Sequence, residues 1–148
     1  MSKDQKKATK LGVGVLIQND LGQVLLGLRI GSHAAGDWGA PGGSMEFGDS
    51  ISETAAKETL QETGLHVTPL RMICVCEEMG YIESDGKHFV DIGVLARYNG
   101  GEPCIMEPDK CREWRWFDLD QLPPNLMEST DYMIRNFQEG VFHRPFAV

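Results

Sequence analysis

Apolar residues run almost unbroken through residues 11–18, LGVGVLIQ, and return at 24–28 after the polar stretch Asn19-Asp20-Leu21-Gly22. The first run is rich in β-branched residues and predicts a buried strand. The turn residues and the second run, residues 23–28, make the pair a hairpin. Residues 30–36 read as a loop. The period changes at Ser50, where Ser50-Ile51-Ser52-Glu53 has the form of a capping box and opens a helix that Gly64 is placed to end in a left-handed cap. Residues 66–78 carry Val67, Leu70, Met72, Ile73 and Val75 and predict a long, irregular strand. A polar segment, residues 80–87, predicts a hairpin turn around Ser84-Asp85-Gly86, and residues 88–98, HFVDIGVLARY, are the returning strand with His88 at its end. After the breaker at 99–103, Trp114, Trp116 and Asp118 alternate with Arg115 and Phe117 as a short strand. Met127, Met133, Ile134 and Phe137 recur at helical spacing up to Gly140. Strands mixed irregularly with two helices predict an α/β sandwich, a mixed sheet with helices on both faces.

A chain of 148 residues suits one domain with one core. Residues 1–10, MSKDQKKATK, are basic and polar with no apolar segment. They read as a disordered lead-in rather than a signal peptide, which leaves 11–148 as the single domain. The net charge of −8 argues against a nucleic-acid partner, which normally demands a basic face. A polyanionic substrate must then be received through cations and a local basic patch. No apolar run approaches the roughly 20 residues that span a bilayer, so no membrane partner is expected. Cys74, Cys76, Cys104 and Cys111 form no C-x-x-C pair and read as reduced, structural thiols in a cytoplasmic protein.

Candidate chemistry concentrates in residues 42–65, GGSMEFGDSISETAAKETLQETGL. Gly42, Gly43 and Gly48 punctuate a loop where the backbone needs freedom. At about 100° per residue, Glu58 and Glu62 lie about 40° apart, with Gln61 on the other side of Glu58. All three share one narrow helix face. Two carboxylates so placed repel each other unless a cation sits between them. Oxygen ligands select a hard cation such as Mg²⁺, which completes its shell with water and substrate phosphate. A solvated surface helix also carries E-x-x-x-E; the glycines at fixed offsets are what set this helix apart. Arg29, at a strand end, has the fork of donors that suits phosphate, or it pairs with a surface carboxylate. Trp38 either walls a pocket and stacks on a base or packs in the core.

This stretch resembles the Nudix box, G-x5-E-x7-R-E-U-x-E-E-x-G-U with U a bulky apolar residue. Gly43, Glu58, Glu62, Gly64 and Leu65 fall in register. Asp49 stands for the first glutamate, Lys57 for the arginine, Thr59 for an apolar residue and Gln61 for a glutamate. Leu25-Leu26-Gly27-Leu28-Arg29, followed by Gly36-Asp37-Trp38-Gly39-Ala40-Pro41-Gly42-Gly43, is similar to a second family pattern. Glu107-Pro108-Asp109-Lys110-Cys111, then Trp114 and Trp116 and later Leu122-Pro123-Pro124, resembles the branch that hydrolyses nucleoside triphosphates, including oxidised purine nucleotides. The resemblance covers residues 11–126.

The resemblance implies an α/β/α sandwich of Nudix type and Mg²⁺ as cofactor, with Mn²⁺ as a substitute. It implies metal binding by Glu58, Glu62, the carbonyl of Gly42, the amide oxygen of Gln61 and, from the later loop, Glu107. Glu58 would also orient or deprotonate water, and Lys57 would pair with a box carboxylate. Arg29, Gly43 and Trp38 would meet the substrate. The implied reaction splits a nucleoside triphosphate into monophosphate and pyrophosphate, and the implied assembly is a homodimer. A nucleotide sugar or other nucleoside diphosphate derivative is the alternative substrate. Gln61, which lacks a charge, keeps open a nucleotide-binding module without hydrolysis.

Overall fold

The computed structural model describes residues 7–31 and 34–146. In chain order the elements are β1 (Lys10–Gln18), β2 (Val24–Arg29), β3 (Trp38–Gly39), β4 (Gly42–Ser44), α1 (Ile51–Thr63), β5 (Val67–Glu78), α2 (Ile82–Asp85), β6 (Phe89–Tyr98), β7 (Cys111–Phe117) and α3 (Glu128–Glu139). The strands form one mixed sheet in the order β3-β2-β1-β6-β5, with β4 beside β1 and β7 beside β2. β1 runs parallel to β6, and the other pairs are antiparallel.

Alternation along β1 divides the core. Val13, Val15 and Ile17 point to the side of α1 and pack with Leu25, Ala55, Leu65 and Val94. Leu16 points to the other side and packs with Leu26, Trp38, Ile73, Met133 and Ile134 of the α3 side. The expected layers, helices on both faces of a mixed sheet, are the layers observed.

One departure from regular pairing shapes the molecule. β1 and β2 meet only next to their turn, at Gln18 and Val24. Beyond that point they separate, and each takes another partner: β4 pairs with β1 at residues 12–14, and β3 and β7 pair with β2. The sheet therefore splits into a cleft between β1/β4 and β2/β3.

Several expectations are corrected. The glycine stretch is partly strand, because Gly42–Ser44 pairs with β1. The connection after β5 holds one turn of helix, α2, closed by a left-handed Gly86, in place of a tight hairpin turn. Of the lead-in, residues 1–6 lie outside the described residues, and Lys10 already belongs to β1. Trp114 and Trp116 pack, partly buried, against the α1-side core and Phe117 against the α3-side core. All four cysteines are free thiols, with Cys104 alone among them exposed. No helix among the described residues is long and apolar enough to cross a membrane.

Candidate functional site

α1 is fixed at both ends by its own sequence. Ser50 Oγ accepts from the Glu53 N–H, the Glu53 carboxylate accepts from the Ser50 N–H, and Gly64 takes the left-handed cap at φ 75°. Helical spacing then turns Glu58, Gln61 and Glu62 toward the split in the sheet, where all three line a cavity of about 750 Å³. Thr54, Ala55, Thr59 and Thr63 are buried on the adjoining, overlapping face of α1. Thr59 stands where an apolar residue was expected, is fully buried, and has an Oγ1 without a hydrogen-bond partner among the described residues.

Glu62 is held tightly. Its Oε2 accepts from the Gly42 N–H at 2.8 Å, and its main-chain carbonyl accepts from Trp114 Nε1 at 3.2 Å. Gly42 can reach it because residues 41 and 45 turn their hydrogen bonds toward β1, through Val15 N–H to Pro41 O and Met45 N–H to Leu11 O. Ladder alternation then directs the N–H and C=O of Gly42 away from β1. A Cβ on Gly42 would lie 2.2 Å from Val13 O, and one on Gly43 would lie 2.5 Å from Glu58 Cδ. The glycines let backbone and carboxylates approach, which a side chain would prevent.

Burial pushes the Glu62 carboxyl up to about 8, with the charges of Glu58 and Glu107 adding to the effect against the Gly42 hydrogen bond and Arg29. Burial also raises Glu58, helped by Glu107 and Glu46 and opposed by Lys57 and Lys110. Two neighbouring carboxylates whose burial opposes ionisation are a site in deficit of positive charge. Among the described residues, no three His, Cys, Asp or Glu side chains gather closely enough to hold a metal ion by themselves. The donor set fits a hard cation that takes two carboxylates, and completes its shell from backbone carbonyl, water and substrate phosphate.

Lys57 lies outside this pair. Its Nζ donates to Asp49 at 2.7 Å and to Glu46 at 3.2 Å, which raises its own pKa and ties the loop before α1 to the helix. The expected pairing with a box carboxylate is therefore present, through Asp49. Gln61 is exposed at the cavity rim. Glu107 lines the cavity while its carboxylate pairs with Lys110 at 3.5 Å. Arg29 and Gly43 also line it. Trp38 does not: it is 7% exposed, packs edge-on against Phe117 at 5.0 Å and lies under the Arg115 guanidinium. Its expected contact with substrate is replaced by a core role, because β3 turns the indole toward α3.

The cavity is also lined by residues not read from the sequence as site residues: Gly12 and Gly14 of β1, Cys76 and Glu78 of β5, and Asp91 of β6. The available signal was a charge inside an apolar strand, Asp91 within HFVDIGV. Burial, reinforced by a hydrogen bond to Asp91, holds Glu78 up at about 8.

Comparison with known proteins agrees with this geometry. The NUDIX domain family model matches residues 8–137. The chain is 34% identical over 115 residues to an oxidized purine nucleoside triphosphate hydrolase of Danio rerio, covering 76% of this chain and 69% of that protein. It is 28% identical over 144 residues to the NAD-capped RNA hydrolase NudC of Stutzerimonas stutzeri, covering 94% of this chain but spanning only 49% of that protein. Among solved structures, the MutT NUDIX hydrolase from Burkholderia pseudomallei superposes with a TM-score of 0.77 at 30% identity, covering 87% of this chain and 98% of that one.

Proposed function

Because the chain belongs to the Nudix hydrolase family, whose members cleave pyrophosphate bonds, we propose that it hydrolyses a nucleoside triphosphate, ordinary or oxidised, to the monophosphate and pyrophosphate. The observation that carries this reading is the pair Glu58 and Glu62 at the edge of a deep cavity, with Arg29 lining the same space. The family generally uses a divalent metal; in this protein we assign Mg²⁺, with Mn²⁺ as a substitute.

Glu58, Glu62 and the Gly42 carbonyl would hold the metal, with the Gln61 amide and Glu107 as further oxygens at the rim. Bound there, a divalent ion supplies neutralisation of phosphate charge and a lowered pKa for water. Glu58 is positioned to orient the attacking water and accept its proton, because it is less enclosed than Glu62. Glu62, clamped through Gly42 and Trp114, keeps its place in the absence of substrate. Arg29 offers two donors to the phosphate chain. Gly43 leaves room for the phosphates beside Glu58. Lys57 acts on the loop rather than on the reacting atoms, by fixing Asp49 and Glu46.

A second reading, cleavage of a nucleotide sugar or another nucleoside diphosphate derivative, is favoured by the similarity to an NAD-capped RNA hydrolase. The deciding experiment incubates the protein and Mg²⁺ with ordinary and oxidised triphosphates, ADP-ribose and sugar nucleotides, and separates products by chromatography. Monophosphate and pyrophosphate from a triphosphate are expected. Turnover confined to the diphosphate derivatives would select the second reading. The same reading includes a cytoplasmic homodimer, and a monomer mass by light scattering at micromolar concentration would remove the dimer from it.

A further inference from the structure

Sulphur gathers on one wall of the cavity. Cys74 and Cys76 of β5 and Met133 of α3 all line it, and all three are buried. Cys74 pairs with Gly93 of β6 and Cys76 with Asp91, in unbroken antiparallel register. Residues two apart on a strand point to one face, and Cys74 packs in the α3-side core, so both thiols face α3.

Met133 comes down on the same spot from the helix. Gly14 of β1 and Gly93 of β6 are neighbours in the sheet, and neither has a side chain to hold it away. A Cβ on Gly14 would lie 3.6 Å from Met133 Sδ. A Cβ on Gly93 would lie 3.0 Å from that sulphur and 2.5 Å from Cys74 Sγ. The missing Gly93 side chain therefore leaves thiol and thioether as near neighbours. Methionine has three rotatable bonds, which let its sulphur close the remaining gap.

Geometry decides what the two thiols can do. On a strand their β-carbons stand about 6.6 Å apart, whereas a disulfide holds them at about 3.8 Å, so the strand would have to buckle to form one. One metal ion with bonds of about 2.3 Å spans two sulphurs up to about 4.6 Å apart, which the thiols reach by leaning toward each other. Cys76 Sγ gives up only a long bond to the Glu77 carbonyl, at 3.5 Å, in doing so.

Electrostatics narrows the chemistry further. Burial pushes the Cys74 thiol up to about 11, with Asp91 adding to the effect against the Gly93 N–H. Burial pushes Cys76 up to about 12, with Asp91, Cys74, Glu78 and Glu128 adding. Neutral thiols are poor nucleophiles, and only an ion with high affinity for thiolate displaces their protons. Two thiolates and a thioether are soft donors that select monovalent copper over Mg²⁺, Ca²⁺ or Mn²⁺. Zinc asks for a fourth donor, and among the described residues no three His, Cys, Asp or Glu gather to hold it.

We propose that Cys74, Cys76 and Met133 form a trigonal site for a monovalent copper ion in the cavity wall, and that copper bound there obstructs the path of the substrate. The ion displaces two thiol protons to solvent and stays monovalent, so no electron is transferred. The site stands without reference to substrate; the obstruction rests on the hydrolysis reading above.

The test supplies Cu⁺ anaerobically as its bicinchoninate complex, whose colour reports how much copper the protein removes. Melting temperature is measured for every variant. Wild type, Cys104→Ser and Cys111→Ser should each take up one ion per chain, and Cys74→Ala and Cys76→Ala should lose that uptake. Met133→Leu conserves volume and should bind with weaker competition. X-ray absorption at the copper edge reads the shell of the wild type directly: three sulphur neighbours are expected, and two in Met133→Leu. Hydrolysis by wild type and by Cys104→Ser should stop at full loading and resume when excess bicinchoninate strips the ion. Cys76→Ala should hold its own metal-free rate in the same copper.

Uptake that vanishes in Cys104→Ser or Cys111→Ser, uptake undiminished in both alanine variants, or nitrogen and oxygen neighbours in place of sulphur overturns the site. Full loading with undiminished turnover overturns the obstruction. Should the protein with Mg²⁺ hydrolyse no triphosphate, that reading fails, while uptake and the shell of sulphurs still decide the copper site.

Discussion

The main-chain N–H of Gly42 donates to Glu62 Oε2 across 2.8 Å, joining the strand beside β1 to the last turn of α1. This bond fixes a half-buried carboxylate in a rotamer that faces the cavity, and it exists because position 42 has no side chain. In Gly42→Ala the added Cβ would lie 2.2 Å from Val13 O, a backbone atom that cannot swing aside. β4 must then shift and lose its hold on Glu62. Hydrolytic turnover is expected to fall by about 100-fold or more, with a destabilisation of about 1–3 kcal/mol. Thermal melting and steady-state kinetics on one preparation check both. An alanine variant with wild-type activity would show that the clamp has no part in catalysis.

Glu62→Gln preserves the shape of the side chain and its bond from Gly42 while removing the charge. Turnover should be almost abolished, and the fold should survive. Metal-free stability should rise, because burial already opposes ionisation of Glu62. A large drop in melting temperature, or turnover left intact, would remove Glu62 from the metal site.

Stability of the metal-free protein should depend on pH in a stated direction. Glu62 and Glu78 are both held up at about 8, above the ordinary carboxylate value of 4.5. Between those values the folded state carries protons that the unfolded chain has released, so folding weakens as pH rises. The contribution is complete below the ordinary value and lost as pH passes about 8. A fall of a few degrees in melting temperature from about pH 6 to about pH 9 is expected. Mg²⁺ should restore more of it at the higher pH, where Glu62 is ionised and binds. A melting temperature that climbs across this window would contradict the assignment.

Trp114 donates its indole N–H to the Glu62 carbonyl, and its ring lies where a Cβ on Gly27 would fall, at 2.6 Å. Trp114→Phe keeps an aromatic ring and removes the donor to a helix-end carbonyl that has no other donor among the described residues. One such bond contributes about 1 kcal/mol. The Mg²⁺ concentration for half-maximal activity should rise by about fivefold, more than KM for substrate at saturating Mg²⁺. An unchanged metal titration would leave Trp114 as packing alone.

Gln61 sits at the exposed rim, on the helix face shared with Glu58 and Glu62. Its amide oxygen can ligate a hard cation without a formal charge. At about 4 Å and an effective dielectric near 20, one added charge is worth about 4 kcal/mol before desolvation. Exposure and repulsion from the two glutamates reduce that gain. Gln61→Glu should lower the Mg²⁺ midpoint, with a smaller change in turnover at saturation. Superimposed titration curves would mean that position 61 does not meet the metal.

Local rules sufficed for α1. The capping box at Ser50, the left-handed Gly64 and a 3.6-residue period place Glu58, Gln61 and Glu62 on one face whatever surrounds the helix. The same holds for the alternation in β1, which sorts Val13, Val15 and Ile17 from Leu16. The family pattern, too, is a matter of spacing along the chain. What spacing could not supply is which distant strands meet. The separation of β1 from β2 depends on β4 and β7 competing for their edges, and that opening makes the cavity. Trp38 carries the same aromatic side chain in a pocket or a core; the pairing of β3 with β2 turned it to the core. Glu78 and Asp91 belong to different strands, with α2 between them along the chain, and only the antiparallel register of β5 and β6 brings them together. Period and capping act within a few residues, whereas strand register is decided by the competition of whole edges for partners, so the chemistry of α1 was legible and the far end of the cavity was not.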